Sequence, residues 1–479
     1  MIRMMQHQYA DLGRQFAIPT LPEKIGHPKI LLWNQPLAEQ LGLDLTETEQ
    51  AQYFSGQKLF SGSKPVAMAY AGHQFGHFNP QLGDGRAHLL GEFNNLRRQI
   101  QEIHLKGSGR TPFSRNGDGR CAIKPAVREY IMSEAMYALG VPTTRTLAVV
   151  TTDETLFRQQ PTTGAIITRV ATSHLRIGTF EYFAARGLYV ELEQLVDLAI
   201  DRHYPQINKN EPNKYIKLLS HVIDKQIELI VNWMRVGFIH GVMNTDNILL
   251  SGETIDYGPC AMLEVYNPAT VFSSIDESGR YAFANQPNIA QWNMVRLAEC
   301  FIPLIDDNQN HAINQVMPLL EGFVPTFKTA YYLMLAHKLG FNEANPAIKK
   351  LSQELLVLMQ QNQLDYTQTF DYLTSSLQSK QSPHPTFNDW YEKWQMLLTE
   401  NNASSHETSM LMRQNNPLLI PRNYHIEAVL AHVETHQSAE RVWKFLKPLE
   451  SPYTLTETTE KYQKPNPEFN ESYQTFCGT

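Results

Sequence analysis

Apolar residues recur at helical spacing from Tyr215 to Val236, where Leu219, Val222, Ile223, Ile227, Ile230 and Trp233 form one stripe. A second helix is predicted from Pro125 to Leu139. Val127, Ile131, Ala135 and Ala138 share a face, Pro125 suits the first turn, and Gly140 with Pro142 ends it. Between residue 66 and about residue 170 the pattern changes to short β-like runs punctuated by glycine: Ala87–Phe93, Ile103–Lys106, Leu147–Val150 and Ala165–Val170. Residues 1–60 look mixed and end in a short helix and loop, whereas 290–375 and 385–447 read mostly as helix. The stretch after Glu450 is polar, contains proline and is expected to be irregular. The pattern predicts an α+β chain with a strand-rich N-terminal lobe, a helical C-terminal lobe and extra C-terminal helices. The expected divisions are 1–175, 176–300, 301–450 and a tail at 451–479. A cleft between such lobes is the expected ligand site.

The 479 residues carry 41 Lys+Arg against 48 Asp+Glu, a formal net charge of −7, which argues against a protein that coats nucleic acid. With 42% hydrophobic residues the chain can bury a core, which excludes global disorder. No apolar run approaches the length of a membrane span, and the first residues lack the apolar stretch of a signal peptide. Four scattered cysteines, Cys121, Cys260, Cys300 and Cys477, suit neither a disulfide scaffold nor a zinc site, so a reducing cytoplasm is expected.

Candidate chemistry concentrates after the 215–236 helix, in His240-Gly241-Val242-Met243-Asn244-Thr245-Asp246-Asn247. Ile248–Leu250, Ser251-Gly252 and Thr254-Ile255 read as a hairpin that brings Asn247 and Asp256 together. An amide oxygen and a carboxylate at one spot suit Mg²⁺, which borrows phosphate oxygens and keeps water. Asp256-Tyr257-Gly258 completes the layout of a protein kinase-like fold: a loop, a hairpin, then a metal-binding Asp-aromatic-Gly. The departure is Val242, which stands where such a fold keeps its catalytic aspartate and which cannot take a proton. Asp246 is the nearest carboxylate that could replace it. On the strand side, Lys106 can neutralise phosphate and Glu129 on the 125–139 helix can hold it. Gly83-Asp84-Gly85-Arg86 and Gly117-Asp118-Gly119-Arg120 let backbone approach an anion, and Arg169 and Arg176 can fork onto phosphate.

These words, with Tyr70-Ala71-Gly72-His73-Gln74-Phe75-Gly76, Thr111-Pro112-Phe113-Ser114-Arg115 and Ser173-His174-Leu175-Arg176, run in order over residues 70–260. The chain resembles the SelO family, also called YdiU, of kinase-like protein adenylyltransferases. The resemblance implies a nucleotide bound in a flipped orientation, so that AMP passes from ATP to a Ser, Thr or Tyr hydroxyl of a protein and pyrophosphate leaves. It implies that Gly83, Gly85, Arg86, Lys106, Asp118, Gly119, Arg169, Arg176 and Asp256 contact ATP. It further implies that Asn247 and Asp256 hold Mg²⁺ or Mn²⁺ and that Asp246 is the base. Relatives linked to UMP transfer leave UTP open as the donor. Cys477 stands near the position of a selenocysteine in eukaryotic relatives, and a regulatory disulfide with Cys260 is one expectation. A conventional kinase using Asp246 and an inactive nucleotide-binding scaffold are the competing readings. Expected partners are ATP and protein substrates in a bacterial cytoplasm, with neither nucleic acid nor membrane.

Overall fold

A computed structural model describes residues 4–379, 385–401 and 404–476. Among the described residues the N-terminal part of the chain carries ten strands, with three helices between them: β1 (Ala17–Pro19), β2 (Lys29–Trp33), β3 (Val66–Met68), β4 (Gly72–Gln74), β5 (His77–Asn79), β6 (Ala87–Asn94), β7 (Ile100–Lys106), β8 (Cys121–Ala122), β9 (Arg145–Phe157) and β10 (Pro161–Ala171). Eight of them form one antiparallel sheet in the order β1-β3-β6-β7-β10-β9-β2, with β8 added against β10. β4 and β5 form a separate two-stranded ribbon.

Alternation along β7 decides what each sheet face does. Ile103 and Leu105 point into a core with Leu37 and Leu41 of α1 (Gln35–Leu41) and with Tyr53 and Phe54 of α2 (Glu47–Phe54). Glu102, His104 and Lys106 take the other face, where Arg169 of β10 stands opposite His104. Across that polar face lies α3 (Ile123–Ala138), which buries Val127 and Ile131 and presents Glu129.

Helices then dominate: α4 (Ile177–Ala184), α5 (Tyr189–His203) and α6 (Lys214–Val236). The apolar stripe of α6 is buried as its spacing predicts, and the helix packs on α7 (Gln286–Ile305) and α8 (Gln309–Lys338). Gly237 ends α6 in the left-handed conformation that glycine adopts without a side-chain clash. The chain enters β11 (Phe238–Ile239), which pairs with β12 (Ala261–Met262), and residues 240–260 loop out between the two. The remaining helices are α9 (Pro346–Gln361), α10 (Tyr366–Ser379), α11 (Asn388–Glu400), α12 (Ser405–Asn415), α13 (Asn423–His436) and α14 (Glu440–Leu449).

Two expectations need correction. The segment after Glu450 is not irregular throughout: α15 (Thr459–Gln463) and α16 (Pro467–Ser472) form there. Asn466 caps α16, Pro467 opens it, and Arg422 donates to Gln463 O at 2.7 Å, which ties the segment to the body. The expected hairpin shrinks to a single bridge between Ile248 and Thr254. Its limbs pair outward instead: Leu250 N donates to Leu175 O and Thr144 N to Thr254 O, each at 3.0 Å. Cys477 lies outside the described residues.

Candidate active site

A cavity of about 630 Å³ opens between the polar face of the sheet and the loop after β11. Gly83, Gly85, Arg86, Lys106, Asp118, Gly119, Arg169, Arg176, Asp246, Asn247 and Asp256 all border it. The strand register explains the sheet side, because Lys106 and Arg169 share one face of adjacent strands. Lys106 Nζ donates to Glu129 Oε2 at 2.9 Å and also reaches Asp256. Arg169 donates through Nε to Glu129 at 2.8 Å and through a terminal nitrogen to Asp256 at 3.0 Å. One glutamate and one aspartate therefore hold two cations that sequence separates by 63 positions (169 minus 106). Burial alone would raise both carboxyls. Arg169 and Lys106 outweigh it at Glu129, and Lys106, Arg169 and Arg176 hold Asp256 well below the carboxylate range.

Arg176, just before α4, donates to the backbone oxygen of Asp246 at 2.6 Å and lies over the Tyr70 ring at 4.5 Å. It faces Asp84 and Asp256, each at 3.8 Å. Asp84 is buried and bonded to His104 at 3.1 Å. Burial opposes its charge, but His104 and Arg176 keep its carboxyl at about 2.

The glycine turns make close approach possible. A side chain at Gly83, whose φ is +78°, would collide with the Phe113 ring. At Gly119, with φ +72°, it would strike the backbone of Gly109. Asp118 is not a free anion, which matters because a bare carboxylate would repel phosphate. It accepts a fork from Arg158 at 2.8 and 3.0 Å and caps the turn at Arg120 N, so it enters the wall as half of an ion pair.

The opposite wall is the loop. Buried His240 anchors it through Ile255 O at 2.8 Å, and Asn293 donates to Met243 O at 3.1 Å. Thr245–Asn247 form a short 3₁₀ turn. Asp246 is buried, and its Oδ1 has no hydrogen-bond partner among the described residues; Gln74 donates to Oδ2 at 3.4 Å. Burial pushes the Asp246 carboxyl up to about 6, with Arg176 pulling the other way. Asn247 donates its amide nitrogen to Val242 O at 3.1 Å, which leaves its Oδ1 for a cation. Asp256 has φ +62°, an uncommon conformation for a non-glycine residue and one that surrounding contacts must maintain. Among the described residues no cluster of three or more His, Cys, Asp or Glu could hold a metal alone. The donors present, an amide, a carboxylate and an unpartnered aspartate oxygen, fit a hard cation that completes its shell with phosphate and water.

Tyr70, Gln74, Asn244, Arg115, Arg120 and Arg158 also border the cavity; all but Arg158 lie inside motifs singled out from sequence, though without a role assigned to them. Asn244 lies inside a motif already singled out, and its role is architectural: its Oδ1 accepts from Phe75 N at 3.0 Å and from the Tyr281 hydroxyl at 2.7 Å. Arg158 stands just past the end of β9 with no local motif, so only tertiary structure reveals it.

The family profile described as "Protein adenylyltransferase SelO" matches residues 3–450. The chain is 50% identical to a protein nucleotidyltransferase YdiU of Teredinibacter turnerae, over 99% of this chain and 100% of that protein. It is 49% identical to the protein of that name from Pseudoalteromonas translucida, over 98% and 99% of the two chains. It is 47% identical to the one from Anoxybacillus flavithermus, over 99% and 98%.

Proposed function

The chain belongs to the SelO family of protein adenylyltransferases and is a nucleotidyltransferase, and from that premise we propose that it moves AMP from ATP to Ser, Thr or Tyr hydroxyls of proteins. The observation that carries this reading is the convergence of Lys106, Arg169 and Arg176 with Asp246, Asn247 and Asp256 on one cavity. We read the architecture as a bilobal kinase-like fold, with the Lys106–Glu129 pair as its strand-to-helix brace.

On this reading Arg86, Lys106, Arg169 and Arg176 spread the charge of the triphosphate, while Gly83, Gly85 and Gly119 admit its oxygens to the backbone and Asp118 holds its turn. Asn247 and Asp256 would hold Mg²⁺ or Mn²⁺, which supplies further charge neutralisation at the phosphates when bound. The acceptor oxygen bonds to the α-phosphorus, the bond from that phosphorus to the bridging oxygen breaks, and pyrophosphate leaves with the electron pair. Asp246 takes the hydroxyl proton. Val242 gives the kinase position no base, so the acceptor is placed by Asp246. UTP as donor, with UMP transferred, rests on the same contacts.

The other expectations stand as proposals in the same sense. The divisions remain 1–175, 176–300, 301–450 and 451–479. The proposed setting is a bacterial cytoplasm without membrane or nucleic-acid partners. Among the described residues no helix is long and apolar enough to cross a membrane. A Cys477–Cys260 disulfide is supported by Thr475, whose hydroxyl donates to Pro259 O at 2.7 Å beside buried Cys260.

Incubation with ATP labelled at the α- or the γ-phosphate tests the reaction. Protein-bound α-label is the expected result. Protein-bound γ-label would make the chain a kinase, and no label would make it a binding scaffold.

A further inference from the structure

The tip of the β4–β5 ribbon overhangs the loop that carries Asp246. His73 N donates to Thr245 Oγ1 at 2.7 Å, and Phe75 N donates to Asn244 at 3.0 Å. Beneath that tip lies Arg280. A β-carbon at Gly76 would stand 3.7 Å from its guanidinium carbon. The guanidinium lies 4.8 Å from the Trp292 ring centre and 5.7 Å from that of Tyr281. Tyr281 in turn donates its hydroxyl to Asn244 at 2.7 Å, two residues before Asp246.

Arg280 is held in place but is not neutralised. Among the described residues no carboxylate comes within 4.0 Å of its guanidinium, and its buried Nε has no hydrogen-bond partner. Glu277, three residues earlier, does not come within that distance, and Asp276, four residues earlier, is already used: its two oxygens accept the backbone N–H groups of Arg280 and Tyr281 at 2.9 and 2.8 Å. The contrast lies on the same indole. Arg296 also lies over Trp292, at 5.1 Å, but it pairs with Glu299 at 2.6 Å. Arginine keeps its charge, and a guanidinium stacked on aromatic rings still presents its edge for a carboxylate fork.

Arg280 lies outside the lining of the cavity, which ends on this side at Gln74, Phe75 and Ile275. A nucleotide seated among Lys106, Arg169 and Arg176 is therefore not what meets it. The group that must cross this rim is the molecule bringing a hydroxyl to Asp246. Ile275, which borders the cavity, and Phe78 on the ribbon are exposed on this side, so apolar surface accompanies the positive charge of Arg280. Resting on the transferase reading above, we propose that Arg280 recognises an acidic side chain flanking the acceptor hydroxyl in the polypeptide substrate.

The test uses synthetic peptides, each with a single Ser, Thr or Tyr, carrying either Asp/Glu or Asn/Gln around it, together with α-labelled ATP. Wild-type protein should favour the acidic peptides by about tenfold in kcat/KM, the size of a close charge pair at a partly dry interface. Arg280→Gln should reduce that ratio to near one, Arg280→Lys should retain part of it, and Arg280→Glu should shift preference towards peptides with Lys or Arg. Because each ratio is measured within one enzyme preparation, lowered total activity does not imitate the effect. An acidic preference equal in wild type and Arg280→Gln would overturn the inference, as would its absence from wild type. A rise in KM for ATP in Arg280→Lys would move the residue to the nucleotide side and overturn it as well. Failure of wild type to transfer α-label to any peptide is a different result and would sink the transferase reading itself.

Discussion

The polar face of the central sheet carries two buried charge clusters, and the strand β7 contributes to both. At its C-terminal end Lys106 joins Glu129, Arg169 and Asp256. Four residues earlier, Glu102 joins Arg202, Glu92 and His174, with His174 donating its backbone N–H to Glu102 at 2.7 Å. Residue types are alike, yet only one cluster has an opening. Arg202, Glu92 and Glu102 are nearly inaccessible, each 1–2% exposed at the side chain, whereas Asp256 is 27% exposed and borders the cavity. A buried ion pair is thus no sign of function by itself. The sign is a pair that faces a cavity and meets, across it, groups left without partners, here Asp246 Oδ1.

Substitutions should separate the two clusters. The largest effect on activity is expected from Asp256→Ala, which removes a proposed metal ligand and leaves Lys106, Arg169 and Arg176 facing one another. Metal-dependent labelling should fall by more than about 100-fold, and labelling at the wild-type level would remove Asp256 from the site. Arg202→Met acts on the sealed cluster and leaves two buried carboxylates uncompensated. It should lower unfolding stability by about 3–5 kcal/mol in urea titrations, and a loss below about 1 kcal/mol would show the cluster to be solvated. Glu129→Gln sits between the extremes: Lys106 and Arg169 lose their shared brace, and the KM for ATP should rise by about tenfold, read from initial rates.

Acid should act through Asp84 at the cavity wall and through Glu102 in the sealed cluster. Burial opposes the charge on Asp84 and Glu102, but His104 beside Asp84 and Arg202 beside Glu102 hold each carboxyl at about 2 in the folded chain, against ordinary values of 3.8 and 4.5. A depressed folded-state value means that the unfolded chain binds the proton first. The stability these two groups supply is complete above about pH 4.5 and is lost as pH falls towards 2. The urea midpoint should drop across that window, and Glu102→Gln should make the slope shallower; an unchanged slope would contradict the assignment. The smallest effect is expected from the tail. If Cys477 pairs with Cys260, reductant should change labelling by wild type and not by Cys477→Ser, whereas equal responses would exclude the pair.

Much of the site was readable from sequence because its chemistry is local. Asp246-Asn247 and Asp256-Tyr257-Gly258 sit in short words, and the alternation of β7 places Lys106 without knowledge of its neighbours. The helices α3 and α6 follow from apolar spacing and glycine stops. What escaped depends on distant partners. The limbs around Ser251-Gly252 look like a hairpin, yet Leu175 and Thr144 compete for their backbone groups and win. Helices α15 and α16 are too short for periodicity to reveal; Arg422 donates to the end of α15, and Asn466 caps α16. Arg158 and Arg280 have no motif around them; their meaning comes from Asp118 in one case and from a missing carboxylate in the other.

The proposed function divides labour across one cavity, with the polyphosphate bound by the sheet wall and the acceptor activated by the loop wall. Asp246→Asn tests it most directly, with nucleotide affinity measured by calorimetry using a non-hydrolysable ATP analogue and Mg²⁺, and transfer measured with α-labelled ATP. The expected result is a loss of transfer of about 100-fold or more with affinity equal to or tighter than wild type. Transfer at the wild-type rate, or affinity and transfer falling together, would contradict it.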